Sequence, residues 1–200
     1  MTKPLERIEW LDIWVAGADL ADLPRLLMIG DSICRGYYGD VDAALVGRYH
    51  CARLCNSTCV CDPTYLKQLD LLLDDYTWDT IHFNTGLHSG SYTTEEYTAG
   101  LERAWAHLRA KAPQARFRWA SSTPVRQQGL MSDLNQERTD WVHERNAAAE
   151  RVAASQGVGV TDLCSVTIAR PDYFSADGVH YNAEGNQALA QAVLKGLGLV

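Results

Sequence analysis

The feature that most constrains this chain is an alternation of short apolar runs with longer amphipathic stretches. Leu26, Leu27, Met28 and Ile29 form an unbroken apolar run that ends in Gly30, Asp31 and Ser32. Further candidate strands lie at 49–55, 80–83, 117–120 and 158–160. Short continuous runs of this kind suit strands covered on both faces. Between them, 65–73 places Leu66, Leu69, Leu72 and Leu73 at helical spacing, and 95–111 places Tyr97, Leu101, Trp105 and Leu108 on one face. Thr93 and Thr94 precede the second of these and suit a helix N-cap. The Ala-rich stretch 139–155 is periodic, and 182–197 carries Ala183, Leu189, Val193 and Leu197. Strands alternating with helices imply parallel strands joined by right-handed crossovers. The expected fold is α/β, a three-layer α/β/α sandwich with about five parallel strands in a single domain over 1–200. Trp10, Leu11, Trp14 and Val15 give the start an amphipathic pattern, so 1–23 is expected to be a helical N-terminal extension.

At 200 residues, 46% apolar and 22% charged, the chain can bury one substantial core but hardly two. Its 18 Lys and Arg against 25 Asp and Glu give a net charge of −7 with no basic stripe, which argues against a nucleic-acid partner. No stretch approaches the roughly 18 apolar residues of a membrane span, so no membrane partner is expected. The first ten residues carry Lys3, Glu6, Arg7 and Glu9 without an apolar run, which places the protein in the cytoplasm as an expectation. Four of the six cysteines fall at Cys51, Cys55, Cys59 and Cys61. That spacing lacks the paired C-x2-C steps of common zinc sites, so free thiols and no metal are expected.

In open parallel sheets, ligands bind beyond the carboxyl ends of the strands. Ser32 stands there, where the chain turns from strand to helix and backbone N–H groups converge. Asp31 and Ser32 equally suit a simple helix cap. Among six histidines, His180 stands in a predicted loop with Asp177 three residues before it. A carboxylate so placed can accept the Nδ1 proton and leave Nε2 free to deprotonate a serine. Asp177-Gly178 is also an ordinary turn sequence. Asn84 follows the third strand, where its amide could donate to a developing oxyanion or simply form a turn before Gly86.

Taken together, Gly-Asp-Ser after the first strand, Asn84 after the third and Asp-x-x-His before the last helix resemble the SGNH branch of the GDSL esterases and lipases. The likeness runs in order and spacing from about residue 24 to 197. It implies a flavodoxin-like sandwich (the SGNH hydrolase fold), no cofactor, and a catalytic triad of Ser32, His180 and Asp177. It also implies an oxyanion hole made by the N–H of Ser32, a backbone N–H after the second strand, and Asn84. The family's glycine at the second of these positions is replaced here by Asn56, and the third block reads Asn84-Thr85-Gly86-Leu87-His88 rather than Gly-x-Asn-Asp.

The expected function is cleavage of a small acyl or O-acetyl ester, with a carbohydrate as one candidate alcohol, through an acyl-enzyme on Ser32. An acyltransferase on the same triad, or a binding protein that leaves the triad unused, would carry the same residues. Arg35, Tyr37 and His88 are candidate contacts for a small-molecule ester.

Overall fold

The computed structural model describes residues 5–88 and 90–200. Six strands form one sheet in the order β1-β3-β2-β4-β5-β8. The strands are β1 (Leu11–Val15), β2 (Arg25–Gly30), β3 (His50–Asn56), β4 (Thr80–Phe83), β5 (Arg116–Ala120) and β8 (Gly159–Thr161). All neighbours from β3 to β8 pair in parallel. The five expected strands are these five, and the sandwich has its helices on both faces as anticipated.

The helices are α1 (Ser32–Ala44), α2 (Thr64–Leu73), α3 (Thr94–Lys111), α4 (Gln136–Ser155), α5 (Leu163–Thr167) and α6 (Ala183–Leu197). In β2, Leu27 and Ile29 join a core with residues of α2, α3 and α4, while Leu26 and Met28 join a core with α1 and α6. Alternate side chains thus enter opposite layers, which is why the sequence of β2 is apolar without interruption. Full burial of each such side chain contributes about 1.5–3 kcal/mol. The first core is built around Phe83, which meets Trp105 and Trp119 edge-on at 5.3 and 5.2 Å. The Thr93 N-cap of α3 forms a reciprocal capping box with Glu96.

Among the described residues of that stretch, 5–23, the expected helix is not present, and residues 1–4 lie outside the described residues. Leu11–Val15 is instead an edge strand antiparallel to β3, with Leu11 opposite Asn56 and Val15 opposite Ala52. The order Leu-Asp-Ile-Trp-Val also satisfies a period of two, and the open edge of β3 supplies the backbone partners that settle the ambiguity. Asp12 adds a cross-strand ion pair, accepting from Arg53 Nε at 2.7 Å.

A small hairpin had no counterpart in the sequence reading. It pairs β6 (Arg126–Gln127) with β7 (Leu130–Leu134). It braces the loop before α6: Arg126 N–H donates to the Gly178 carbonyl at 2.7 Å, and Gly129 N–H to that of Ala176 at 3.0 Å. Among the described residues, no helix is long and apolar enough to cross a membrane.

Candidate active site

The carboxyl ends of β2, β3 and β4 and the loop before α6 converge on Ser32. The turn out of β2 is sharp because Asp31 is the N-cap of α1, its Oδ1 accepting from Ile33 N–H at 2.8 Å. Ser32 is therefore the first helical residue. Its N–H belongs to the set that a helix start leaves without an intrahelical partner.

Ser32, His180 and Asp177 form a continuous line. Ser32 Oγ lies 2.8 Å from His180 Nε2, and His180 Nδ1 lies 2.7 Å from Asp177 Oδ2. The second oxygen of Asp177 accepts the backbone N–H groups of Val179 and His180, each at 2.9 Å. Partial burial raises the Asp177 carboxyl, but the bonds from the His180 ring and the two backbone N–H groups outweigh it and hold the carboxyl below its usual range. An ionised Asp177 requires the proton on Nδ1, so the imidazole presents its lone pair at Nε2 to the serine hydroxyl. The arrangement can generate a serine nucleophile.

Asn84 is buried at the end of β4, and its Nδ2 donates to the Ala120 carbonyl at 2.7 Å. The second amide hydrogen has only a 3.5 Å contact with Ser122 Oγ. It is the donor left to meet a developing oxyanion. Asn56, the last residue of β3, is buried, and its Nδ2 donates to Gln68 Oε1 at 2.7 Å. The adjacent Ser57 N–H donates to Trp10 O on the β1 side. Strand alternation therefore turns the Asn56 N–H the other way, toward β2 and its turn. Glycine is not needed there, because no described non-glycine residue has a positive φ.

The three candidate substrate contacts part company. Tyr37 is a core residue, 1% exposed, with its phenol 2.8 Å from His82 Nε2. It lies five residues along α1 from Ser32, about 140° around the helix, and packs toward the sheet, where it also lines a small recess beside Asn84. Arg35 is exposed and stacks on Trp10, its guanidinium carbon 4.8 Å from the ring centre. His88 contacts the same Trp10 edge-on at 6.4 Å and bonds Glu6 Oε1 through Nδ1 at 2.9 Å. His88 also lines a cavity of about 160 Å³ with Glu6, Glu9, Ser57 and Tyr92. Sequence reasoning missed the share of the N-terminal segment in this cavity, since nothing local in 5–10 signals where it folds.

A second, much smaller recess lies between Asp31, Ile33, Asn84 and Leu87, with a volume of about 10 Å³. That is room for one water or one methyl group. All six cysteines are unbridged, and among the described residues no three His, Cys, Asp or Glu side chains are grouped to hold a metal.

The GDSL-like lipase/acylhydrolase family model matches residues 28–188. No curated protein sequence matches significantly. Solved structures with the same fold include an acetylxylan esterase from Geobacillus stearothermophilus, 15% identical over 88% of this chain and 94% of that one, with a TM-score of 0.72. The aryl esterase of M. smegmatis is 16% identical over 88% of this chain and 100% of its own, with a TM-score of 0.70. A carbohydrate acetylesterase from Sinorhizobium meliloti is 16% identical over 88% and 98%, with a TM-score of 0.67.

Proposed function

We infer, from the premise that the chain belongs to the GDSL-like lipase/acylhydrolase family and is a carboxylic ester hydrolase, that it cleaves small acyl esters, O-acetyl groups foremost, through an acyl-enzyme on Ser32. The observation that carries this reading is the unbroken line from Ser32 Oγ through His180 to Asp177, at 2.8 and 2.7 Å.

Ser32 Oγ attacks the ester carbonyl as its proton passes to His180 Nε2. The carbonyl oxygen takes the negative charge and is met by the N–H of Ser32, the N–H of Asn56 and the amide of Asn84. His180 then gives its proton to the leaving alcohol as the bond from carbon to that oxygen breaks. A water repeats the sequence on the acyl-serine, releasing the acid and restoring Ser32. Asp177 holds the imidazole tautomer and stabilises the imidazolium throughout.

The preference for a short acyl chain rests on the recess of about 10 Å³ beside Asn84. A carbohydrate alcohol is favoured because two structures of this fold are named as an acetylxylan esterase and a carbohydrate acetylesterase. The half-exposed His180 and Asp177 leave room for a large soluble alcohol on their side.

The test is hydrolysis of p-nitrophenyl acetate, butyrate and octanoate, and of acetylated xylo-oligosaccharide, by wild type and Ser32→Ala. The expected result is loss of all activity with Ser32, and a fall in kcat/KM of roughly tenfold or more from acetate to butyrate. Activity that survives Ser32→Ala overturns the nucleophile, and a rise with chain length overturns the acyl preference.

A further inference from the structure

Cys59 and Cys61 are unlike the other four cysteines. Cys34 of α1 and Cys51 and Cys55 of β3 are buried in the same core, and Cys164 is buried at the start of α5. Burial pushes the Cys51 thiol up to about 12 and the Cys164 thiol up to about 11, which keeps both protonated and inert. Cys61, by contrast, is only partly buried, and Cys59 lines the cavity of about 160 Å³ that His88 shares.

The two residues occupy one tight turn. Asp62 N–H donates to the Cys59 carbonyl at 2.9 Å, and Cys61 N–H donates to Cys59 Sγ at 3.3 Å. The turn therefore folds the Cys59 sulfur back over the Cys61 backbone. It is held in place from behind: a Cβ on Gly100 of α3 would lie 2.9 Å from the Val60 carbonyl oxygen and 3.1 Å from Cys61 Cα. Residues two apart are at most about 7 Å apart at Cα, and a turn shortens that into the disulfide range of about 4.4–6.8 Å.

The electrostatics favour a thiolate on one sulfur of the pair. The hydrogen bond from the Cys59 thiol lowers the Cys61 thiol, burial opposes this, Arg145 and Arg103 add to it, and Glu96 opposes it. The same bond pushes the Cys59 thiol up. A partly exposed thiol held below its usual range beside a second thiol is the arrangement in which oxidation proceeds to a disulfide.

We propose that Cys59 and Cys61 are a peroxide-oxidised dithiol site, closing to a disulfide in the wall of the cavity beside Ser57 and His88. The Cys61 thiolate attacks one oxygen of hydrogen peroxide. A sulfur–oxygen bond forms, the oxygen–oxygen bond breaks, and the departing hydroxide takes up a proton as water. Cys59, losing its proton, then attacks the Cys61 sulfur. The sulfur–sulfur bond forms, the sulfur–oxygen bond breaks and a second water leaves. Two thiols are oxidised and one peroxide is reduced to two waters. A small-molecule dithiol reverses the change by exchange.

The experiment is titration of the native protein with hydrogen peroxide, followed by alkylation and fragment mass spectrometry. The expected result is loss of two hydrogens located by fragmentation between Cys59 and Cys61, ahead of any change at the other cysteines and reversed by dithiothreitol. Iodoacetamide should label Cys61 roughly tenfold faster than any other cysteine in the folded protein, a readout that needs no variant. Cys59→Ser should leave Cys61 trapped as a sulfenic acid that a dione reagent captures. Ser32→Ala should oxidise as the wild type does, which separates this site from the hydrolase reading. Oxidation appearing first between Cys34 and Cys55, or Cys61 labelling no faster than Cys164, overturns the proposal.

Discussion

The side-chain amide of Asn84 donates to the carbonyl of Ala120 at 2.7 Å, tying the end of β4 to the end of β5. The bond fixes the amide plane, and with it the direction of the remaining Nδ2 hydrogen. Replacing Asn84 by Ala has two separable consequences. The loss of an oxyanion donor should lower kcat about 10²–10³-fold. The Ala120 carbonyl, left without its partner, should cost about 1–3 kcal/mol of stability. Steady-state kinetics and denaturant unfolding on one variant check both. Asn84→Ala with wild-type kcat would remove Asn84 from the oxyanion hole while leaving its stitching role intact.

Asp177 serves two masters in one loop, the ring of His180 and the backbone N–H groups of residues 179 and 180. Asp177→Asn keeps an oxygen for the backbone but can present an N–H to the imidazole, which favours the wrong tautomer. The expected outcome is a fold retained at somewhat lower stability, since the bonds that hold the carboxylate ionised are weakened, with kcat reduced about 10²–10⁴-fold. Because the Asp177 carboxyl is held below its usual range, it stays ionised throughout the weakly acidic region. Asp177 should then contribute no proton of its own to the acid limb of the wild-type pH profile. A two-proton fall in kcat/KM over that region would contradict the assignment.

Much of this was legible in the sequence, for physical reasons that differ by element. The run at 26–29 announced a strand because both of its faces are covered, and Thr93 announced α3 because its cap is local. Asp177 and His180 were legible together since both stand in one loop three residues apart. The edge strand Leu11–Val15 was not, since five residues satisfy either period and only the distant edge of β3 decides. The bond from the Tyr37 phenol to His82 was not legible, because closeness to Ser32 along the chain says little about direction on a helix. The hairpin Arg126–Leu134 carries mostly polar, exposed residues, so it left no periodic signal at all.

His82 is fully buried in β4, with Nε2 on the Tyr37 phenol, and burial, aided by the Arg118 charge, pushes its pKa down to about 3. The unfolded chain binds a proton at this ring below about pH 6.5, whereas the folded one does not until near pH 3. Between those limits the unfolded state carries more protons, so stability should fall as pH falls. Replacing His82 by Gln, which can still bond the phenol, should reduce the pH slope of unfolding free energy between pH 6 and 4 by about one proton. Urea titrations at several pH values read that slope directly, and an unaltered slope would mean that His82 titrates freely in the folded protein.

Gly178 holds the triad loop in a conformation that a side chain would resist. Its φ is +75°, and a Cβ there would lie 2.4 Å from the carbonyl oxygen of Arg126 in β6. Arg126 N–H in turn donates to the Gly178 carbonyl at 2.7 Å, so the hairpin cannot withdraw without losing a buried bond. Gly178→Ala therefore has to move the segment carrying Asp177 and His180. A displacement near 1 Å at a catalytic group costs about 10²-fold in rate, and the left-handed backbone alone costs about 1 kcal/mol or more. The expected variant folds with lowered stability and loses most of its esterase activity, although every triad residue is still present. Gly157→Ala is the matched control, with a similar φ of +66° but open space around its Cβ. It should lose comparable stability while keeping wild-type kcat. Equal losses of activity in both variants would show that global destabilisation, and not the aim of His180, accounts for the effect.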